Sequence, residues 1–145
     1  MKSPASGTTV VVVEDEILVR AATARYLREA GCLVFEAASA EECLDLLASE
    51  RSIDVVFADI RLPRQSGLDL LRALQQSHPH LGIVLTTGGK LDEPIPDGVT
   101  LLQKPYGLFE IERCIGVLRA HRHLGVNRNH RAGANHRSPT KPPRS

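Results

Sequence analysis

A chain of 145 residues, 42 % apolar and 3 % aromatic, has the length for one domain with a core of Val, Leu, Ile and Ala. Neither the opening MKSPASGTT nor any later run is apolar enough for a secretory signal or a membrane span, so a cytoplasmic protein is expected. The net charge of +1 hides a split: residues 1–120 hold 12 Lys/Arg and 17 Asp/Glu, whereas residues 121–145 hold 6 Lys/Arg, 4 His and no acid.

TVVVV (Thr9 to Val13) is a β-branched run bounded by Gly7 and by Glu14-Asp15-Glu16, which predicts a buried strand. Ile17 to Ala30 has helical composition, with Gly31 as the stop. CLVFEA (Cys32 to Ala37) predicts the second strand. Ser39, with Glu42 three residues on, fits a capping box for a helix through Leu44, Leu46 and Leu47. IDVVFAD (Ile53 to Asp59) predicts the third strand. Ser66 is placed to cap a helix through Leu70, Leu71 and Leu74 that ends before Pro79. GIVLTT (Gly82 to Thr87) predicts the fourth strand.

The rhythm then breaks. GGKLDEPIPDG holds two prolines and three glycines, so a full helix is not expected there. VTLLQK (Val99 to Lys104) predicts the fifth strand. Leu108 to Arg119 predicts a last amphipathic helix, with Ile111, Ile115 and Leu118 on one face. The alternation implies a flavodoxin-like doubly wound α/β fold: five parallel strands in the order 2-1-3-4-5, right-handed crossovers, and a fourth helix short or missing. The folded domain is expected over residues 8–120, after a flexible N-terminus (1–7). Residues 121–145, almost without apolar content, are expected to form a disordered basic tail.

The residues that follow each apolar run carry the chemistry. Strand one ends in Glu14-Asp15-Glu16, strand three in Asp59, strand four in Thr86-Thr87, strand five in Lys104-Pro105. In a parallel sheet these are all C-terminal ends, which lie on one edge. In the order 2-1-3-4-5 these four strands are neighbours. The edge therefore gathers carboxylates, hydroxyls and an ammonium, a set suited to phosphoryl transfer onto a carboxylate. Asp59 can act as nucleophile. Three mutually repelling carboxylates suit a divalent cation, and magnesium takes few carboxylates together with waters and phosphate oxygens. Lys104 offers a point charge and Thr87 a hydroxyl donor for phosphoryl oxygens.

Four motifs in register, VVVVEDE, FADIRLPRQSG, IVLTTGG and LLQKPY, resemble those of a response-regulator receiver domain of the two-component systems, from about Thr8 to Arg119. Pro63 and Gly67 stand in the family's places. The resemblance implies that Asp59 is the phosphoacceptor, Asp15 a direct magnesium ligand, and Glu14 its partner, acting mainly through water. The carbonyl of Arg61 would complete the protein's share of Mg2+ ligands, together with Asp59. Thr87 and Lys104 would hold phosphoryl oxygens. The donor would be a phosphohistidine on a sensor histidine kinase or histidine phosphotransfer protein. The domain would catalyse its own phosphorylation and contribute to its dephosphorylation, rather than turn over a substrate as an enzyme.

Plainer readings stand beside these. Asp59 alone is an ordinary loop aspartate. Glu14-Asp15-Glu16 also suits the N-terminus of the next helix. Thr86 competes with Thr87 for the switch position. Lys104 alone is an ordinary strand-end lysine, and the tail histidines are metal ligands or merely solvated. Cys32, Cys43 and Cys114, odd in number and widely spaced, read as reduced packing residues.

The chain also departs from the family. Leu101 stands where many receivers carry an aromatic, three residues before the lysine. Pro94 and Pro96 spoil the fourth helix, so the usual dimer over residues 91–119 is not expected. Arg61 and Gly89 occupy positions that tune phosphoryl lifetime. No output domain is expected after the receiver, which leaves a phosphorelay shuttle, a phosphate sink, or a regulator acting by protein contact. The rival class is a receiver-like protein whose basic tail binds nucleic acid or another acidic partner. Sparse aromatics oppose a dedicated nucleic-acid binder. A nucleotide or flavin protein is disfavoured, since EDE replaces a glycine-rich loop after strand one.

Overall fold

The computed structural model describes residues 7–49, 52–91 and 93–118. The N-terminal segment up to residue 6 and the basic tail lie outside the described residues.

Among the described residues, five strands and four helices follow in the order β1 (Thr9–Val13), α1 (Ile17–Glu29), β2 (Leu33–Ala37), α2 (Ala40–Ser49), β3 (Val55–Asp59), α3 (Gly67–Ser77), β4 (Gly82–Thr87), β5 (Val99–Gln103) and α4 (108–118). All strand pairs are parallel, in the order β2-β1-β3-β4-β5. This is the flavodoxin-like sheet order expected from the sequence.

The two-residue period of the strands sorts their side chains to two faces. Val11, Val13, Val56, Ala58, Ile83 and Leu85 pack with Ala40, Cys43 and Leu47 of α2 and with Leu70, Leu71 and Leu74 of α3. Val10, Val12, Val55, Phe57, Val84 and Leu102 pack with Ala24 and Leu27 of α1 and with Ile111 and Ile115 of α4. Each Val, Leu, Ile or Phe among them, fully buried, contributes about 1.5–3 kcal/mol. β1 and β3 are covered on both faces, which is why they read as unbroken apolar runs. Cys32 and Cys43 are buried and Cys114 half-buried, all as thiols.

The helix punctuation follows the residues. Gly31 closes α1 at φ +92°, a left-handed stop in which its N–H donates to Arg28 O at 3.0 Å. Ser39 Oγ accepts from the Glu42 N–H at 3.2 Å, while the Glu42 carboxylate accepts from Ala38 N–H at 2.7 Å. The return arm of the box thus reaches one residue further back than the usual pattern.

Between β4 and β5 no helix forms among the described residues. Pro94 and Pro96 interrupt the stretch, and side chains of α3 hold it instead. Arg72 pairs with Glu93 at 2.9 Å, and Gln75 Nε2 donates to Asp97 O at 3.3 Å. The cost is local. Leu101 faces the side a helix would cover and stays 40 % exposed, while its register partner Leu85 is fully buried.

Candidate functional site

The end of β3 is shaped by the loop that follows it. Ile60 N–H donates to Thr86 O at 3.0 Å, and Arg61 N–H donates to Asp59 Oδ1 at 2.9 Å. The chain turns back through Arg64, at φ +67°. It enters α3 where Ser66 Oγ accepts from Asp69 N–H at 3.1 Å. Gly67 N–H then donates to Ile60 O at 2.9 Å. That approach demands glycine: a Cβ on Gly67 would lie 2.4 Å from Asp59 O and 2.7 Å from Ile60 Cα. The first residue of α3 thus braces the backbone of Asp59.

Three of the residues singled out in the sequence meet at one point. Asp59 and Glu14 are both buried. Lys104 Nζ lies 2.5 Å from Asp59 Oδ2 and 3.8 Å from Glu14 Oε2. The Lys104 N–H donates to Thr87 O at 2.8 Å, which fixes the lysine backbone to β4. Glu14 is held in turn: its Oε1 accepts from Glu16 N–H at 3.2 Å, and its N–H donates to Ala37 O at 3.0 Å.

The electrostatics follow from this crowding. Burial pushes the Glu14 carboxyl up, and its hydrogen bond with Asp59 raises it further, to about 8. For Asp59 burial also works upward. The hydrogen bonds from Glu14, Lys104 and the Arg61 N–H outweigh it and hold this carboxyl below its ordinary value. Burial lowers Lys104, but its hydrogen bond and charge interaction with Asp59 prevail and keep the ammonium charged well into the alkaline range. Burial and the neighbouring Asp59 thus favour the neutral form of Glu14, while the hydrogen bonds around Asp59 and Lys104 favour their charged forms.

The other expected residues stand at the edge without joining this cluster. Asp15 is exposed. Thr87 is buried, and its hydroxyl is engaged by its own loop, donating to Gly89 O at 3.1 Å and accepting from Gly89 N–H at 3.3 Å. Thr86 pairs in register with Asp59. Arg61 has an exposed side chain and meets Asp59 through its N–H. Glu16 is the N-cap of α1 by position, but its side chain makes no capping hydrogen bond. Among the described residues no three His, Cys, Asp or Glu side chains converge in metal-holding geometry.

Sequence reasoning missed three residues. Arg20 of α1 donates from Nη1 to Glu14 O at 2.9 Å and lies 3.7 Å from Glu36. It thereby ties the turn after β1 to the helix. Thr23 and Tyr106 share a hydrogen bond across the α1 face of the sheet. Helical spacing would have found Arg20 and Thr23 on one side of α1, three residues apart, but nothing local links either to the edge.

The model of the response regulator receiver domain family matches residues 10–104. The chain belongs to this family of two-component signalling domains. It is 33 % identical over 109 residues to sensor kinase CckA of Brucella abortus, covering 71 % of this chain and 12 % of that protein. It is 35 % identical over 117 residues to the DNA-binding transcriptional regulator NtrC of Escherichia coli K12, covering 73 % of this chain and 24 % of that one. The chain thus spans a quarter or less of these relatives' length. A receiver domain protein from Clostridium thermocellum superposes with a TM-score of 0.76 at 29 % identity, over 81 % of this chain and 98 % of that one.

Proposed function

We propose that this receiver domain accepts a phosphoryl group on Asp59 from a phosphohistidine of a sensor kinase or phosphotransfer protein. The observation that carries the reading is the buried Asp59 carboxylate at the end of β3 with the Lys104 ammonium on it. An aspartate held below its ordinary pKa stays ionised, as a nucleophile must. One of its oxygens attacks phosphorus, and the P–N bond of the phosphohistidine breaks. The electron pair returns to the imidazole nitrogen, which leaves neutral when the other ring nitrogen carries a proton. Lys104 is placed to follow the negative charge onto the phosphoryl oxygens. Thr87 can give its hydroxyl to the same oxygens once it releases Gly89.

Receiver domains use Mg2+ for this step. The donor chemistry here fits a hard cation. Glu14 and Asp59 are buried side by side, close enough to share a proton, and a divalent ion relieves that crowding. Asp15, Asp59 and the Arg61 carbonyl would hold it, with Glu14 acting through water. When bound, magnesium supplies neutralisation of the transferring group. The signal then passes by protein contact or onward phosphotransfer.

The test is incubation with magnesium and a small acyl phosphate, followed by detection of acid-labile phosphate. Wild type should approach one phosphate per chain and Asp59→Asn should take up none. Full labelling of the variant would move the acceptor elsewhere.

A further inference from the structure

The segment that carries Lys104 to Asp59 is poorly packed on its outer side. A groove of about 390 Å³ separates it from α1, with Leu18, Ala22 and Tyr26 on one wall and Lys104, Pro105 and Tyr106 on the other. The open groove leaves the segment without close packing on that side. Tyr106 ties it down. Its ring meets Phe57 edge-on, with 5.7 Å between centroids and 73° between planes, and Phe57 stands two residues before Asp59. Its hydroxyl shares a 3.1 Å hydrogen bond with Oγ1 of Thr23, which is buried on α1. A buried hydroxyl left without a partner is costly, so Thr23 favours the arrangement that keeps the phenol in place. The backbone is therefore clamped on both sides of Pro105: Lys104 N–H to Thr87 O on β4, and Tyr106 to β3 and α1.

We infer that Thr23 and Tyr106 form a positioning pair for Lys104, setting the ammonium on the phosphoryl site of β3. The role rests on Asp59 being the phosphoacceptor. The pair acts through Lys104, and its effect falls mainly on phosphoryl-oxygen stabilisation, since β1 and β3, not the pair, place the carboxylates that would hold the metal. A misplacement of the ammonium by a fraction of an ångström is enough to slow the step.

The test compares wild type, Tyr106→Phe, Thr23→Val, Thr23→Ser and the Tyr106→Phe/Thr23→Val double variant. Each is assayed for phosphorylation by acetyl phosphate and for magnesium binding by calorimetry. Tyr106→Phe and Thr23→Val should each slow the reaction at saturating donor by about fivefold to tenfold, the loss expected for one positioning hydrogen bond. Magnesium affinity should stay within about twofold of wild type, and Thr23→Ser, which keeps the hydroxyl, should restore most of the rate. The double variant should be no slower than the slower single one, because both remove one interaction. A wild-type rate in Tyr106→Phe, or losses that multiply in the double variant, would overturn the pair. Wild type that takes up no phosphate would instead remove the acceptor role of Asp59, and the pair's role with it.

Discussion

β5 is bordered by two regions built to different standards. Beyond its C-terminal end, Lys104 is fixed by Thr87 O and bridges two buried carboxylates. Before its N-terminal end, residues 88–98 form no helix among the described residues and are held by exposed contacts from α3. Yet the strand itself pairs in full register with β4, from Ile83↔Val99 to Thr87↔Gln103. The helix is therefore not what places the lysine. Strand pairing and the Lys104 N–H bond to Thr87 O do that, and the cover over β4 and β5 is separable from the chemistry.

The sharpest test of this separation is Lys104→Ala. Loss of a preorganised cation on the reacting oxygens should slow phosphorylation by about a hundredfold or more. The fold should survive, because Lys104 is only half-buried and its backbone bond to Thr87 O is kept. Thermal denaturation beside the rate assay checks both halves, and a variant that fails to fold would show the lysine to be structural. Gly67→Ala comes next. Its methyl would sit 2.4 Å from Asp59 O, so α3 or the end of β3 must move, at about 1–3 kcal/mol for such overpacking. Urea titration should register that loss, together with slower phosphorylation. An unchanged midpoint would mean that the brace is slack.

Glu14 gives a prediction with a defined sign. Its folded carboxyl titrates near 8 against an ordinary 4.5, so between these values the folded state holds a proton that the unfolded chain has released. Stability in the absence of magnesium should therefore fall as pH rises from about 5 to 8, by an amount on the order of 2 kcal/mol. Asp59 is shifted the other way. Its contribution is present above pH 3.8 and lost only below it, so it does not mask the effect. Glu14→Gln cannot titrate and should lose this slope, ending several degrees more stable than wild type at pH 8. Melting curves in a chelator at pH 5 and pH 8 decide it, and parallel behaviour of the two proteins would refute the shared-proton arrangement.

How much of this was legible in the sequence depended on distance along the chain. β1, β3 and β4 were readable because burial on both faces leaves continuous apolar runs, and Asp59 because such a run stops on a carboxylate. The missing helix was readable because Pro94 and Pro96 act within their own segment. The convergence of Glu14, Asp59 and Lys104 needed the sheet order, which the βα alternation implied. What stayed hidden is tertiary. Thr23 and Tyr106 lie 83 positions apart, and neither type announces the other. The raised Glu14 carboxyl depends on burial beside Asp59 that no motif encodes. Asp15, adjacent to Glu14, points outward by a difference of one residue at the end of β1.

The smallest expected effect lies at the open side of β5. Leu101 and Leu85 are register partners, one 40 % exposed and one fully buried. Leu101→Lys should change stability by less than about 0.5 kcal/mol, as surface substitutions do, while Leu85→Ala should cost about 2–5 kcal/mol. The pair measures what the absent helix leaves uncovered. Oligomeric state adds a second reading. If the phosphorylated protein paired through residues 91–119, Leu101→Lys would place a charge in the interface and break the pair. With no helix between β4 and β5 among the described residues to present a partner surface, the phosphorylated protein should sediment as a monomer, with or without the substitution. A phosphorylation-dependent dimer that Leu101→Lys dissolves would show that the open face is a docking surface after all, and that the two ends of β5 are coupled.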